Sequence, residues 1–218
     1  MTADVAIKIC GIASEAAVDA VNAIGAAMVG FNFVHRSVRC VTPARARELA
    51  ERLAPSIRPV ALVVDADDAA LAEIVAEAAP AMLQLHGAET PARVAHVRSR
   101  FGLPVIKALP VADAADIDRA AAYEGVADWL LFDAKPPKSR PGALSGGNGL
   151  AFDWHLIAGR APATAWMLSG GLTPENVAAA IAVTGARAVD VASGVERAPG
   201  DKDPRLIEAF AAAVRAAG

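Results

Sequence analysis

Four kinds of residue in this chain could do chemistry together. Cys10 closes an apolar run at Lys8-Ile9-Cys10-Gly11, and Asp133 closes another at Phe132-Asp133-Ala134-Lys135. Arg39 ends the polar stretch His35-Arg36-Ser37-Val38-Arg39, just after a third apolar run. Two glycine-bearing turns, Ser169-Gly170-Gly171 and Ser193-Gly194, follow the last two such runs. A thiol can act as a base and a carboxyl as an acid. An arginine can hold a carboxylate through two parallel hydrogen bonds, and bare backbone N–H groups can cradle a phosphate.

Each of these residues also has an ordinary reading. A free cysteine at a strand end is most often a small buried hydrophobe. A strand-end aspartate commonly caps a loop, a basic turn is commonly solvated, and glycines after strands occur in any fold. Their shared setting shifts the balance. Every one of them sits where an apolar run gives way to a loop, and the two glycine turns come from the last two units. Lys8 lies two residues before Cys10, so strand alternation points both side chains the same way. An ammonium there is expected to favour the thiolate. Cys40 has no comparable setting and reads as structural. His86, in Gln84-Leu85-His86-Gly87, reads as a hydrogen-bonded spacer or as part of the ligand shell.

The elements that must position these residues alternate along the chain. Strands are expected near Val5–Ile9, Met28–Phe33, Val60–Val64, Met82–Leu85, Val105–Ala108, Trp129–Phe132, Ala165–Leu168 and Ala188–Val191. Helices are expected near Glu15–Ala23, Pro43–Leu53, Ala69–Ala78, Pro91–Ser99, Ala112–Ala122, Pro174–Val183 and Pro204–Ala216, with a short one near Trp154–Ile157. Thr42-Pro43, Thr90-Pro91 and Thr173-Pro174 each offer a capping hydroxyl and a proline preset for a first helical turn. A repeat of roughly 25–30 residues predicts one (β/α)8 TIM barrel over residues 1–218. The rival, an open doubly wound sheet, needs a Gly-rich fingerprint after its first strand. Cys10-Gly11-Ile12-Ala13 lacks it. The Gly-, Pro- and Ser-rich stretch from Pro136 to Leu150, with Gly146-Gly147-Asn148-Gly149, reads as a lid or a disordered loop.

In a barrel, the eighth strand closes against the first. Asp190 shares the parity of Ala188 and Ala192, so it is expected within salt-bridge reach of an inward Lys8. A lone buried ammonium would be costly.

Composition excludes several classes. The charged fraction is 21% and the net charge −3, with no basic face of the kind nucleic acid requires. The apolar stretch from Ala16 to Val34 carries Asp19, Asn22 and two glycines, so it reads as helix, turn and strand and not as a membrane span. No signal-peptide pattern opens the chain. Two cysteines make no disulfide framework, which fits the reducing cytoplasm. No His/Asp/Glu cluster has metal-ligand spacing, and no exposed apolar stripe calls for a partner, so a monomer is expected.

At these residues the chain resembles the phosphoribosylanthranilate isomerases of tryptophan biosynthesis. The matching strings are KICGI at 8–12, GFNFVHRSVR at 30–39, LQLHG at 83–87, LLFDAK at 130–135 and GGNG followed by FDW within 146–154. They continue with LSGGLTPENV at 168–177, VDVASGVE at 189–196 and PGDKD at 199–203. The resemblance implies the barrel and an Amadori rearrangement of N-(5′-phosphoribosyl)anthranilate. It implies Cys10 as general base, Asp133 as general acid, Arg39 on the anthranilate carboxylate, and Gly170, Gly171, Ser193 and Gly194 on the phosphate. The iminium formed on ring opening is the electron sink, so no metal or organic cofactor is expected. The chain departs from the family pattern at Ala13, Val34-His35-Arg36, Cys40 and Leu150-Ala151. These departures bear on packing around the anthranilate ring and on the lid. A histidine-pathway relative would need paired aspartates, which Cys10 and Ala108 do not supply. A metal-dependent epimerase would need His and Asp ligands, and a non-catalytic phosphate-binding barrel would have no use for both Cys10 and Asp133.

Overall fold

The structure is a computed structural model that describes residues 5–135 and 153–217. Eight strands close a parallel barrel in chain order: β1 (Ala6–Cys10), β2 (Met28–Asn32), β3 (Arg58–Val63), β4 (Met82–Leu85), β5 (Val105–Val111), β6 (Trp129–Ala134), β7 (Trp166–Leu168) and β8 (Ala188–Val191). Between and after them come α1 (Glu15–Ala23), α2 (Pro43–Ala50), α3 (Asp68–Ala78), α4 (Pro91–Phe101), α5 (Ala114–Asp118), α6 (Val177–Thr184) and α7 (Pro204–Ala217). The strands are apolar on both faces because helices cover the outside and the barrel fills its own inside. No helix among the described residues is long and apolar enough to cross a membrane.

Strand alternation sorts the interior into layers. A dry plug of Met28, Val60, Met82, Ile106, Leu131, Met167 and Ala188 closes the end where the strands begin. Two residues further along the same inward faces come polar groups: Lys8 on β1, Gln84 on β4, Asp133 on β6 and Asp190 on β8. The plug gives the barrel a rigid floor, and the polar layer lies towards the carboxyl ends of the strands, where barrel active sites sit.

Helix starts follow their caps. Thr42 accepts from Arg45 N and Thr90 from Arg93 N, each followed by proline as expected. Thr173-Pro174 behaves differently. Thr173 N donates to Asn176 Oδ1 at 2.8 Å, and α6 starts only at Val177. That proline belongs to a braced turn and not to a first helical turn. The single helix expected over Ala112–Ala122 is a short α5 followed by a 3-10 turn, Arg119–Tyr123. A two-stranded ribbon, β9 (Glu196–Ala198) and β10 (Asp201–Lys202), was not foreseen from the sequence. The stretch from Pro136 to Leu150, including Gly146-Gly147-Asn148-Gly149, and Ala151 after it lie outside the described residues.

Candidate functional site

The site is built from strand ends. Cys10 is the last residue of β1 and is buried, with Gly30 opposite it on β2. A Cβ at position 30 would lie 2.8 Å from Cys10 Sγ and 3.3 Å from Lys8 Nζ. Glycine there leaves room for both side chains, a requirement that the string GFNF did not reveal. Lys8 Nζ lies 2.7 Å from Asp190 Oδ1, across the β1–β8 seam, as alternation and closure predict. Asp190 Oδ2 accepts from Ser169 Oγ at 3.1 Å. The carboxylate thus ties the first strand to the end of β7.

The electrostatics show Lys8 favouring the thiolate as expected, but against a larger opposing effect. Burial pushes the Cys10 thiol above its ordinary range, and the nearby Lys8 ammonium only partly opposes this. Lys8 itself is pulled down by burial, but Asp190 and then Cys10 outweigh that and leave it raised. The ammonium is already paired with a carboxylate, so it has less field to offer the thiol. The resting thiol is therefore the neutral form.

Asp133 lies on β6, one residue before the strand ends, and is buried. Its Oδ1 accepts from Ala134 N at 2.9 Å, and its Oδ2 lies 3.1 Å from His86 Nε2. Gln84 Nε2 is 2.8 Å from His86 Nδ1. With the Gln84 amide donating, Nδ1 is the acceptor and Nε2–H donates to Asp133. His86 is thus more than a spacer, since it makes direct contact with the proposed acid. Gln84 Oε1 is buried without a hydrogen-bond partner among the described residues.

The turn that carries His86 is pinned from outside the barrel. Lys107 of β5 donates to Gly87 O at 2.7 Å, to Leu85 O at 3.3 Å and to Glu89 Oε2 at 2.7 Å. Glu89 in turn accepts from Asp65 N at 2.9 Å and Gly87 N at 2.9 Å. Both partners are buried. Sequence reading missed this pair because Glu89 looks like one more loop charge.

Arg39 is where the loop after β2 folds back. Val41 N donates to Asn32 O at 2.9 Å, and Arg39 N donates to Ser37 Oγ at 3.2 Å. The guanidinium is not free, as a waiting anion clamp would be. Its Nε and Nη2 grip Glu196 Oε1 and Oε2 at 2.7 and 2.8 Å. Cys40 is half-buried and lines a separate cavity of about 630 Å³ with Phe33 and Ile74. That space is mainly apolar in its lining, with His35, Arg36 and Glu73 at its walls.

The two glycine turns meet. Gly170 (φ +86°) and Gly171 (φ +64°) both take the left-handed backbone that other residues resist. Neither donates its N–H to an acceptor among the described residues. Asn176 braces the turn by donating from Nδ2 to Gly171 O at 2.9 Å. A Cβ at Gly194 would run into the Leu172 carbonyl oxygen, so the turn after β8 packs bare backbone against the turn after β7. Among the described residues no group of three or more His, Cys, Asp or Glu side chains is arranged to hold a metal ion.

A barrel with a thiol and a carboxyl near the carboxyl ends of β1 and β6, and bare glycine turns after β7 and β8, has the layout of an enzyme of the (β/α)8 class. The family model for N-(5′-phosphoribosyl)anthranilate isomerase matches residues 7–213. An isomerase of that name from Parvibaculum lavamentivorans is 52% identical over 98% of this chain and 99% of its own. The crystal structure of phosphoribosyl anthranilate isomerase from Thermotoga maritima superposes with a TM-score of 0.87 at 34% identity, covering 97% of this chain and 99% of that one. A further crystal structure, of a phosphoribosyl anthranilate isomerase in complex with reduced 1-(o-carboxyphenylamino)-1-deoxyribulose 5-phosphate, matches at 32% identity and a TM-score of 0.82, covering 97% of this chain and 99% of that one. This chain belongs to the N-(5′-phosphoribosyl)anthranilate isomerase family of tryptophan biosynthesis.

Proposed function

We propose that the protein converts N-(5′-phosphoribosyl)anthranilate to 1-(2-carboxyphenylamino)-1-deoxyribulose 5-phosphate by general acid–base catalysis, with Asp133 as acid and Cys10 as base. The observation that carries this reading is the placement of both groups at the carboxyl ends of barrel strands, Cys10 closing β1 and Asp133 one residue from the end of β6. Asp133 protonates the furanose ring oxygen. The bond from that oxygen to the anomeric carbon breaks, and the anilino nitrogen supplies the electron pair of an iminium. The Cys10 thiol, neutral at rest, first gives its proton to solvent; the thiolate so formed takes the proton from the second sugar carbon, and the electrons left behind neutralise the iminium to an enolamine. A proton reaching the first carbon and one leaving the second hydroxyl complete the ketone. Protons gained and lost by the substrate balance, as an isomerisation requires. Each proton transfer by a placed group supplies about 10²–10⁴-fold.

The substrate has an anion at each end. Gly170, Gly171, Ser193 and Gly194 bind its phosphate, and Arg39 binds its anthranilate carboxylate. His86 holds Asp133 in line. Lys8 and Asp190 support the floor of the site. The iminium serves as electron sink, so the chemistry runs without metal or organic cofactor. The protein acts on this small molecule in the cytoplasm, without nucleic acid or membrane. It does so as a monomer, a reading supported by Val38 being the one large hydrophobic residue strongly exposed among the described residues.

The test is direct. Purified protein mixed with freshly made phosphoribosylanthranilate, with no added metal, extinguishes the anthranilate-type fluorescence of the substrate. Persistence of the fluorescence at micromolar enzyme, with the chain folded, counts against the assignment.

A further inference from the structure

Arg39 is held by a structure that the barrel itself does not require. The β9–β10 ribbon follows β8 and turns back over the loop that carries Arg39. Its first residue, Glu196, takes both Nε and Nη2 of Arg39, at 2.7 and 2.8 Å. Its last residue, Lys202, donates to Glu196 Oε1 at 2.6 Å and to Ala192 O at 2.9 Å. At the ribbon's turn, a Cβ on Gly200 would meet the Val38 carbonyl at 2.9 Å, so the ribbon also touches the backbone next to Arg39. On the opposite side the arginine stem lies across the end of β1. A Cβ at Gly11 would sit 2.6 Å from Arg39 Cδ. Arg39 is thus confined at its stem by the end of β1 and at its guanidinium by Glu196.

Glu196 does not resemble a loose carboxylate filling a vacant clamp. Its side chain is 3% exposed and is gripped by two cations. Burial works against its ionised form, yet Arg39 and Lys202 hold it below the usual carboxylate range. The cluster of Arg39, Glu196 and Lys202 carries one net positive charge. Glu196 occupies the side edge of the guanidinium, Nε with Nη2. The end edge, Nη1 with Nη2, remains as a second two-pronged face of fixed orientation, and among the described residues nothing accepts from Nη1.

We propose that Glu196 and Lys202 are positioning residues for substrate recognition: they lock the plane of Arg39 so that its end edge receives the substrate carboxylate. The inference rests on the reading of Arg39 given above and adds the residues that make it selective. A flexible arginine would attract any anion. A locked one accepts a planar carboxylate in a single orientation, because the ordering of the long side chain is already complete before the ligand arrives.

The opposite reading is that Glu196 competes with the substrate for Arg39, and the two differ in sign. The experiment measures dissociation constants by calorimetry for two ligands. One is the reduced product analogue bearing the carboxyl, and the other is its anilino counterpart lacking it. Their ratio isolates carboxylate recognition from phosphate binding. Wild-type protein is expected to favour the carboxylate form by at least about 10-fold, and Arg39→Ala to lose that preference. Glu196→Asp keeps the charge but withdraws the grip by one methylene, and is expected to cut the preference at least about fivefold. Glu196→Gln/Lys202→Met also preserves the net charge of the cluster and gives the same result. It decides the matter if the aspartate variant does not fold, with circular dichroism as the check. A preference that stays or rises in a folded variant overturns the proposal while leaving Arg39 as the carboxylate ligand. A wild-type protein with no preference, or Arg39→Ala retaining it, removes the reading of Arg39 and the proposal with it.

Discussion

Lys8 and Asp190 face each other across the seam where the barrel closes, in register on β1 and β8, with Nζ and Oδ1 2.7 Å apart. Both are buried, so neither can turn to water when the other is removed. Lys8→Met leaves a buried carboxylate whose one remaining side-chain partner among the described residues is Ser169, and is expected to cost about 3–5 kcal/mol in urea unfolding. Lys8→Met/Asp190→Leu removes both charges and should recover most of that loss. A cost below about 1 kcal/mol for the single variant would show that the carboxylate is solvated in the folded state.

Cys10→Ser and Asp133→Asn are each expected to lower kcat by at least about 10²-fold with little change in unfolding midpoint. His86→Asn is expected to lower kcat about 10-fold with a smaller effect on KM, since it loosens the acid without touching the anion sites. Near wild-type turnover in either of the first two variants would sink the acid–base assignment.

The buried thiol predicts a pH dependence of stability. Burial holds the folded Cys10 above its ordinary range. Above the unfolded thiol value of about 8.5, the unfolded chain has released a proton that the folded one still binds. Stability is therefore complete below that pH and falls as pH rises towards the folded value. Cys40 is also raised by its burial, so the comparison is made in a Cys40→Ser background. There, Cys10→Ala should flatten the decline in denaturant midpoint. Equal slopes with and without Cys10 would mean that the thiol titrates normally. Ultraviolet thiolate absorbance of the folded protein gives the same answer independently.

Gly194→Ala sets a methyl group against the Leu172 carbonyl oxygen, where only backbone can give way. Gly170→Ala combines a φ of +86° with a contact 2.5 Å from Ala134 N. Each is expected to raise KM at least about 10-fold and to weaken inhibition by inorganic phosphate in parallel. Loss of turnover with phosphate affinity intact would move the phosphate site elsewhere.

Lys107→Met removes the clamp on the turn that carries His86 and strands Glu89 in the interior. The expected cost is about 3–5 kcal/mol, with a fall in kcat beyond what the stability loss explains. Adding Glu89→Gln should return stability before activity. Full activity in the folded single variant would make Lys107 a purely structural residue.

Much of this was written in local sequence. The apolar runs and their capped helices place the strand ends within two residues, except that β5 runs three residues past Ala108 to Val111, because a strand buried on both faces needs an unbroken hydrophobic stretch. Period-two alternation aligned Lys8 with Cys10, and closure of the barrel then brought Asp190 to Lys8. Both inferences need only parity and topology. What tertiary structure decided was partnership and environment. Arg39 and Glu196 are 157 residues apart, and only the unforeseen ribbon brings them together. Gly30 matters because two long side chains on the neighbouring strand need its missing Cβ. The net balance at Cys10 was not legible in sequence for the same reason. A nearby lysine was legible, but its prior claim by Asp190 and the depth of burial were not, and in a low-dielectric interior the depth of burial and the partners present decide the proton.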